Sequence, residues 1–253
     1  MAGIIRGHLD DVGTFGRLAW GTARQAIRRP WGFASLLDQL YHVGVMSVSI
    51  TSIVALFTGL VIALQTSYSL RNYGGQVFMG DLMALSLVRE LGPVLTALMI
   101  AGRVGAGITA EIGSMAVTEQ VDAIRALAAN PIKKLVVPRV LATTIMLPLL
   151  VILADCIGIF GGFIIAVLEI GQTPAYYLRH VIRALTLPDI ASGLIKAALF
   201  GLLISLIACH RGLVVRGGAA GVGSATTRSV VSASIMVLVS DFFITKLLLQ
   251  VLG

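Results

Sequence analysis

The chain has 253 residues, of which 57% are hydrophobic and 12% charged, with a mean hydropathy of +0.95. Soluble domains carry roughly 25% charged residues, so this chain cannot cover a globular surface with polar groups; an ordinary cytosolic enzyme and a disordered chain are excluded. Nineteen Lys and Arg against twelve Asp and Glu give a net charge of +7, and the basic residues are scattered between apolar runs, which fits cytoplasmic loops and anionic lipid better than nucleic acid.

In chain order, Arg6, Arg17, Arg24, Arg28 and Arg29 interrupt the first forty residues, which do not read as a signal peptide. Leu9, Val12, Phe15 or Gly16, Leu18 or Ala19, and Thr22 recur at helical spacing, and both tryptophans, Trp20 and Trp31, lie here. A basic amphipathic helix with tryptophan is expected in the membrane interface; a soluble helix packed on a partner is the alternative. Residues 1–42 form this interfacial region, and 43–253 a five-helix membrane domain.

Five apolar runs make up that domain, at about 43–68, 82–110, 135–168, 190–209 and 229–252. Each suits a span of about 20 residues. The third would reach about 50 Å against a hydrocarbon core of about 30 Å, which predicts tilt, protrusion or a break at Pro148. With the N-terminus inside, most basic residues fall on the inner side, which predicts a cytoplasmic N-terminus and, after five spans, an outer C-terminus. The fold class is therefore all-α integral membrane protein.

The connections carry less. There is no Gly-Lys pair, hence no GxxxxGK[ST] phosphate loop; any ATP would bind another subunit, and no cofactor is expected here. Gly212–Gly223 reads as a flexible cytoplasmic connection. In TEQVDAIRAL, Thr118 is placed to cap a helix, Glu119 and Asp122 suit its positive end, and Val121, Ile124 and Leu127 form one apolar stripe beside Gln120 and Arg125. Asn130-Pro131 is expected to end it. A short amphipathic helix over about 118–128 can dock on a soluble partner or lie on the membrane surface. Cys156 and Cys209 read as small apolar residues, and no Cys/His grouping suggests a metal site.

Charges inside the apolar runs are the functional candidates. Arg89 and Glu90 precede Pro93, whose missing N–H deprives the carbonyl of residue 89 of its helical donor. A bent helix beside a charged pair predicts a polar pathway, with snorkelling to headgroups as the alternative. Lys196 falls in the outer third of its run, Asp155 and Asp241 near mid-depth. A charge at the bilayer centre costs roughly 2.5–3.5 kcal/mol on insertion scales, so these face the bundle or a cavity; pairing and function stay open for both aspartates. Asp241 and Lys246 point to different faces. Small residues crowd 101–113, and Gly158 and Gly162 form GxxxG, which permits close helix approach.

The stretch ALSLVRELGPVLTALMIAGRVGAGITAEIGSMAVTEQVDAI resembles the signature of the MlaE/YrbE permease family, the membrane subunits of MCE-type lipid ABC transporters. NPIKKLVVPRVLA, GLIKAALFG and GVGSATTRSVVSASIMVLVSDFFIT are similar to the same family, and the likeness runs from about Tyr41 onward. The resemblance implies a homodimer in the bacterial inner membrane. It implies two copies of a cytoplasmic ABC ATPase (MlaF-like) below and a periplasmic MCE-domain protein (MlaD-like) above, with a small STAS-domain protein (MlaB-like) in some systems. The cargo would be a phospholipid, held in an outward-opening cavity between protomers. Arg89, Glu90 and Lys196 would lie at its mouth, with Tyr73, Gln65 and Leu70 from the end of the first span. Glu119 to Leu127 would be the helix coupled to the ATPase. The family gives no role for Asp155. An ion-coupled secondary transporter or channel using Glu90, Asp155 and Asp241 is the rival; no inverted repeat supports it. An intramembrane enzyme would need a convergent catalytic set, which the scattered His and Cys do not supply.

Overall fold

The computed structural model describes residues 2–26, 32–71 and 74–252, with side chains for 13–26, 32–71, 74–248 and 250. The described residues are predominantly helical, with no strand among them. Five helical runs are long and apolar enough to cross a membrane: 33–70, 75–117, 132–168, 187–213 and 218–248. All five expected spans are present, and every one is longer than its apolar run.

Helix α1 (Ala2–Ala26) is followed by α2 (Phe33–Val43) and α3 (Val48–Leu70). On α1, Leu18 and Thr22 are buried and Phe15 and Ala19 pack on the core, while Arg17, Trp20 and Arg24 face outward; the amphipathic expectation holds over these residues, and the side chains of Leu9 and Val12 lie outside those described. Thr14 Oγ1 lies 3.1 Å from His210 Nε2, and the Phe15 ring meets the same imidazole edge-on, which ties α1 to the fourth span.

The second span is a relay of α4 (Met79–Ser86), α5 (Gly92–Ile100) and α6 (Ala106–Val117), joined by π turns at Leu87–Leu91 and Ala101–Gly105. After α7 (Gln120–Ala126) and a third π turn, Ile132–Val136, α8 runs unbroken over Val137–Leu168. Pro148 therefore does not break it: membrane helices absorb a proline where neighbours re-satisfy the backbone. Outer helix α9 (Pro174–Ala184) precedes α10 (Leu187–Leu213) and α11 (Gly218–Leu252). The glycine-rich stretch is not a long loop, since only 214–217 separate α10 from α11 and the rest is helical.

Helices α8 and α10 and the second span form the centre, where Ala97, Ile100, Leu147, Phe200 and Ile204 are fully or almost fully buried. Helix α3 packs on α8 through glycine: a Cβ on Gly59 would strike the Gly158 carbonyl, and one on Gly161 the carbonyl of Leu56. Close approach thus uses Gly158 and Gly161, while Gly162 faces the Tyr177 hydroxyl. Tyr177, buried on α9, donates to the carbonyl of Ile159 at 3.0 Å; burial holds its phenol above the ordinary tyrosine range, which keeps it a neutral donor.

Candidate functional site: a charged cluster on a proline-made gap

Within the first π turn the N–H of Gly92 reaches back to the carbonyl of Leu87. Pro93 then offers no N–H, the donor that the Val88 carbonyl would take in π register or the Arg89 carbonyl in α register. Helix α10 covers both. Gly193 sits so close to the Val88 carbonyl that any Cβ would collide with it. One turn on, the Lys196 ammonium donates to the Arg89 carbonyl at 2.9 Å. Lys196 thereby fills the gap that the proline opens.

The same ammonium is 1% exposed and donates to Glu90 Oε2 at 2.7 Å. Asp241 Oδ1, from α11, lies 3.2 Å away, an ion pair without hydrogen-bond geometry. The Thr245 hydroxyl donates to Glu90 Oε1 at 3.4 Å. One buried cation thus faces two carboxylates from two other spans. A buried charge survives only when paired and hydrogen-bonded, so this cluster holds the second, fourth and fifth spans together.

Arg89 and Glu90 are not partners of each other, as the sequence had suggested. Neighbouring helical residues point about 100° apart, and Arg89 instead pairs with Asp189. Asp189 also accepts from the Thr186 N–H at 2.9 Å and its hydroxyl at 2.7 Å, closing the capping box that starts α10. Arg89 and Glu90 remain 45% and 42% exposed. The cluster therefore has a buried lock, Lys196, and a polar mouth offering one guanidinium and one carboxylate. Lys196 and Asp241, read from the sequence at different depths, are at one level. Asp189, Thr186 and Thr245 escape the sequence reading, although TLPD carries the capping-box spacing that marks Asp189.

Of the other candidates, Gln65 is exposed and Leu70 packs on Gly75 at the end of α3. No hydrogen bond or ion pair among the described residues joins them to the cluster, and Tyr73 lies outside the described residues. Asp155 is buried on α8 against Gly92; its Oδ1 has no hydrogen-bond partner among the described residues, and it is not part of the cluster.

At the opposite end, α7 projects from α6 on two left-handed joints, Glu119 (φ 60°) and Ala128 (φ 57°), a conformation unfavourable outside glycine. Thr118 does not cap α7; its hydroxyl returns to the Ser114 carbonyl of the preceding helix. The apolar stripe is also corrected: Val121 is buried and Ile124 half-buried, but Leu127 is 81% exposed. The helix stops at Ala126, and Asn130-Pro131 instead opens the next segment, Asn130 Oδ1 accepting from the Ile132 N–H. Gln120, Asp122 and Arg125 face outward, the last two paired at 2.7 Å. Nearby, Arg139 is buried and pairs with Glu111 at 2.7 Å, and Arg103 donates to Ser47.

Residues 36–247 match the profile of the family described as permease MlaE. The chain belongs to the MlaE permease family. It is 41% identical over 241 residues to a probable ABC transporter permease protein of Rickettsia conorii, covering 95% of this chain and 93% of that one. It is 42% identical over 217 residues to a probable ABC transporter permease protein of Synechocystis, covering 86% and 82%. The Haemophilus influenzae protein named intermembrane phospholipid transport system permease protein MlaE is 38% identical over 217 residues, covering 85% and 83%. This MlaE-family chain is thus a multi-pass membrane protein and the permease subunit of an ABC transporter, and the cluster and α7 both lie in the matched region.

Proposed function

We propose that this permease moves phospholipid, with ATP hydrolysed by a partner. Two copies form the membrane unit, and the polar mouth at Arg89 and Glu90 receives the headgroup while acyl tails lie on apolar helix faces. Val231, Ile235, Leu238 and Phe242 make one exposed stripe on α11, beside Asp241, and supply the surface for the second copy. The N-terminus is cytoplasmic in the bacterial inner membrane, so α7 meets an MlaF-like ATPase and the α9 end meets an MlaD-like MCE-domain protein; an MlaB-like STAS protein completes the assembly where present. The work contributes to envelope lipid asymmetry. The observation that carries this reading is the charge cluster, because its exposed pair is held at a fixed place by a buried lock spanning three helices.

Mechanically, closure of the ATPase pushes α7, which is joined to the second span through α6. The π turns are where that span can change its pitch. A shift there moves the Arg89 carbonyl relative to Lys196 and alters the mouth's affinity for a headgroup. A ligand moves such an equilibrium only through different affinity for the two states.

Affinity purification in mild detergent, with mass spectrometry of co-purifying proteins and lipids, tests the assignment. An ATPase, an MCE-domain protein and phospholipid are expected. A lone permease that transports without nucleotide would overturn it in favour of an ion-coupled transporter. Glu90→Lys is expected to lower lipid crosslinking at the mouth, and unchanged crosslinking would remove Glu90 from the path.

A further inference from the structure

A cavity of about 400 Å³ lies between α2 and the α7 half of the second span, lined by Asp38, His42, Arg103, Gly107, Ile108 and Glu111 among others. It lies well away from the Lys196 cluster. Arg103 stands in its wall. The Ser47 hydroxyl donates to the Val43 carbonyl and accepts from Arg103 Nη1, so the guanidinium is fixed from behind. Among the described residues, no carboxylate lies within ion-pair distance of Arg103. The acids of the cavity are otherwise engaged: Asp38 leans on His42 at 3.5 Å, and Glu111 pairs with Arg139.

The setting is lipidic. Phe33, Leu37 and Tyr41, spaced by four on α2, are each more than half exposed, as expected of a face against acyl chains. An arginine at the inner end of a span stands at the level of headgroup phosphates. The cavity is also kept open, since a Cβ on Gly107 would meet nothing within 4 Å. Its volume falls in the range of small-molecule sites, roughly 300–1,000 Å³.

We infer that this cavity is a second headgroup site, taking a zwitterionic phospholipid from the leaflet at the α7 end. Arg103 donates to a phosphate oxygen, the charge-assisted bond a guanidinium forms best. Asp38 and Glu111 keep more than half of their side chains exposed on the rim beside His42 and Arg139, and their open faces favour an ammonium in the same headgroup over a purely anionic head. The site goes beyond the transport reading and is independent of it: binding here needs no nucleotide, so loss of transport and loss of this binding are separable.

The test uses the purified full chain in nanodiscs of phosphatidylethanolamine and phosphatidylglycerol. A photoreactive p-benzoylphenylalanine replaces Gln39 on the cavity rim, and intact-mass spectrometry reads the lipid adduct. A phosphatidylethanolamine adduct is expected, indifferent to excess inorganic phosphate. Arg103→Gln lowers it about tenfold, the loss of one charge-assisted hydrogen bond. Gly107→Leu, which fills open space and leaves the packing intact, lowers it as much; this variant carries the test if Arg103→Gln folds poorly. The same photoprobe at Leu37, on the lipid side of α2, reports bulk lipid and is unaffected by either change. An adduct that survives Gly107→Leu, or that forms equally with phosphatidylglycerol, overturns the proposal. So does loss of the adduct to inorganic phosphate, which would assign the site to free phosphate.

Discussion

The two π turns of the second span share a backbone pattern and an arginine, yet they are settled differently. At Leu87–Leu91, Pro93 removes a donor, and a lysine from another helix fills the gap with its ammonium while collecting two carboxylates. At Ala101–Gly105 no proline follows, and the Ala106 N–H reaches the Ala101 carbonyl. Nothing there demands a donor from outside, so Arg103 needs only Ser47 and turns the rest of its guanidinium to a cavity. The first turn is a junction and the second a site. Whether the backbone defect is filled decides which, and the charge itself does not.

The largest effect that would break this contrast is at Lys196. Lys196→Met leaves the Arg89 carbonyl without a donor and Glu90 beside Asp241; an unsatisfied buried acceptor alone costs about 1–3 kcal/mol, and the facing carboxylates add to it. Thermal unfolding of the purified chain in detergent should register that loss. Arg103→Met should cost about 1 kcal/mol or less, one modest hydrogen bond. Equal losses would mean that the two turns are alike.

Next in size is a test of the gap itself. Pro93→Ala restores an N–H that can take a carbonyl of the first π turn, so Lys196 becomes less necessary. In a double-mutant cycle the cost of Lys196→Met should fall by about 1–2 kcal/mol in the Pro93→Ala background, within the range for residues sharing a partner. Additive costs would show that Lys196 answers only the carboxylates.

The contrast also marks what the sequence can tell. Runs of apolar residues report spans directly, because lipid demands them, and Pro93 announces the missing donor. What fills the gap is written about a hundred residues away, at Gly193 and Lys196, and no local periodicity links the two. Adjacent letters misled at Arg89 and Glu90, because a helix turns neighbours apart. Asp189 was hidden in a different role, since TLPD reads as a helix start and the residue serves both cap and ion pair. For Asp241 pairing and function stayed open, and Lys196 carried no partner, for one reason: a pair between spans has no signature within either. The extra length of each helix was invisible because polar turns continue a helix beyond the apolar run that starts it.

A smaller effect concerns the rim of the junction. Asp189→Asn keeps a capping side chain but removes the charge facing Arg89. Arg89 is half exposed, so solvent screens the pair and the loss should be about 1 kcal/mol or less. Unfolding should therefore move far less than for Lys196→Met, which separates the exposed mouth from the buried lock.

The smallest effect on stability belongs to α7, where neither a gap nor burial is at stake. Asp122 and Arg125 are both more than 60% exposed, and surface changes of this kind stay within about 0.5 kcal/mol. Asp122→Lys should leave unfolding where it was. Its consequence belongs instead to the proposed contact with the ATPase: a helix held out on two left-handed joints, with Leu127 bare, can present its charge pattern to a partner without repacking. Co-purification of the ATPase with Asp122→Lys is expected to drop while phospholipid still co-purifies. If the ATPase is retained in full, α7 is a surface helix only, and force from the nucleotide cycle must enter the second span elsewhere.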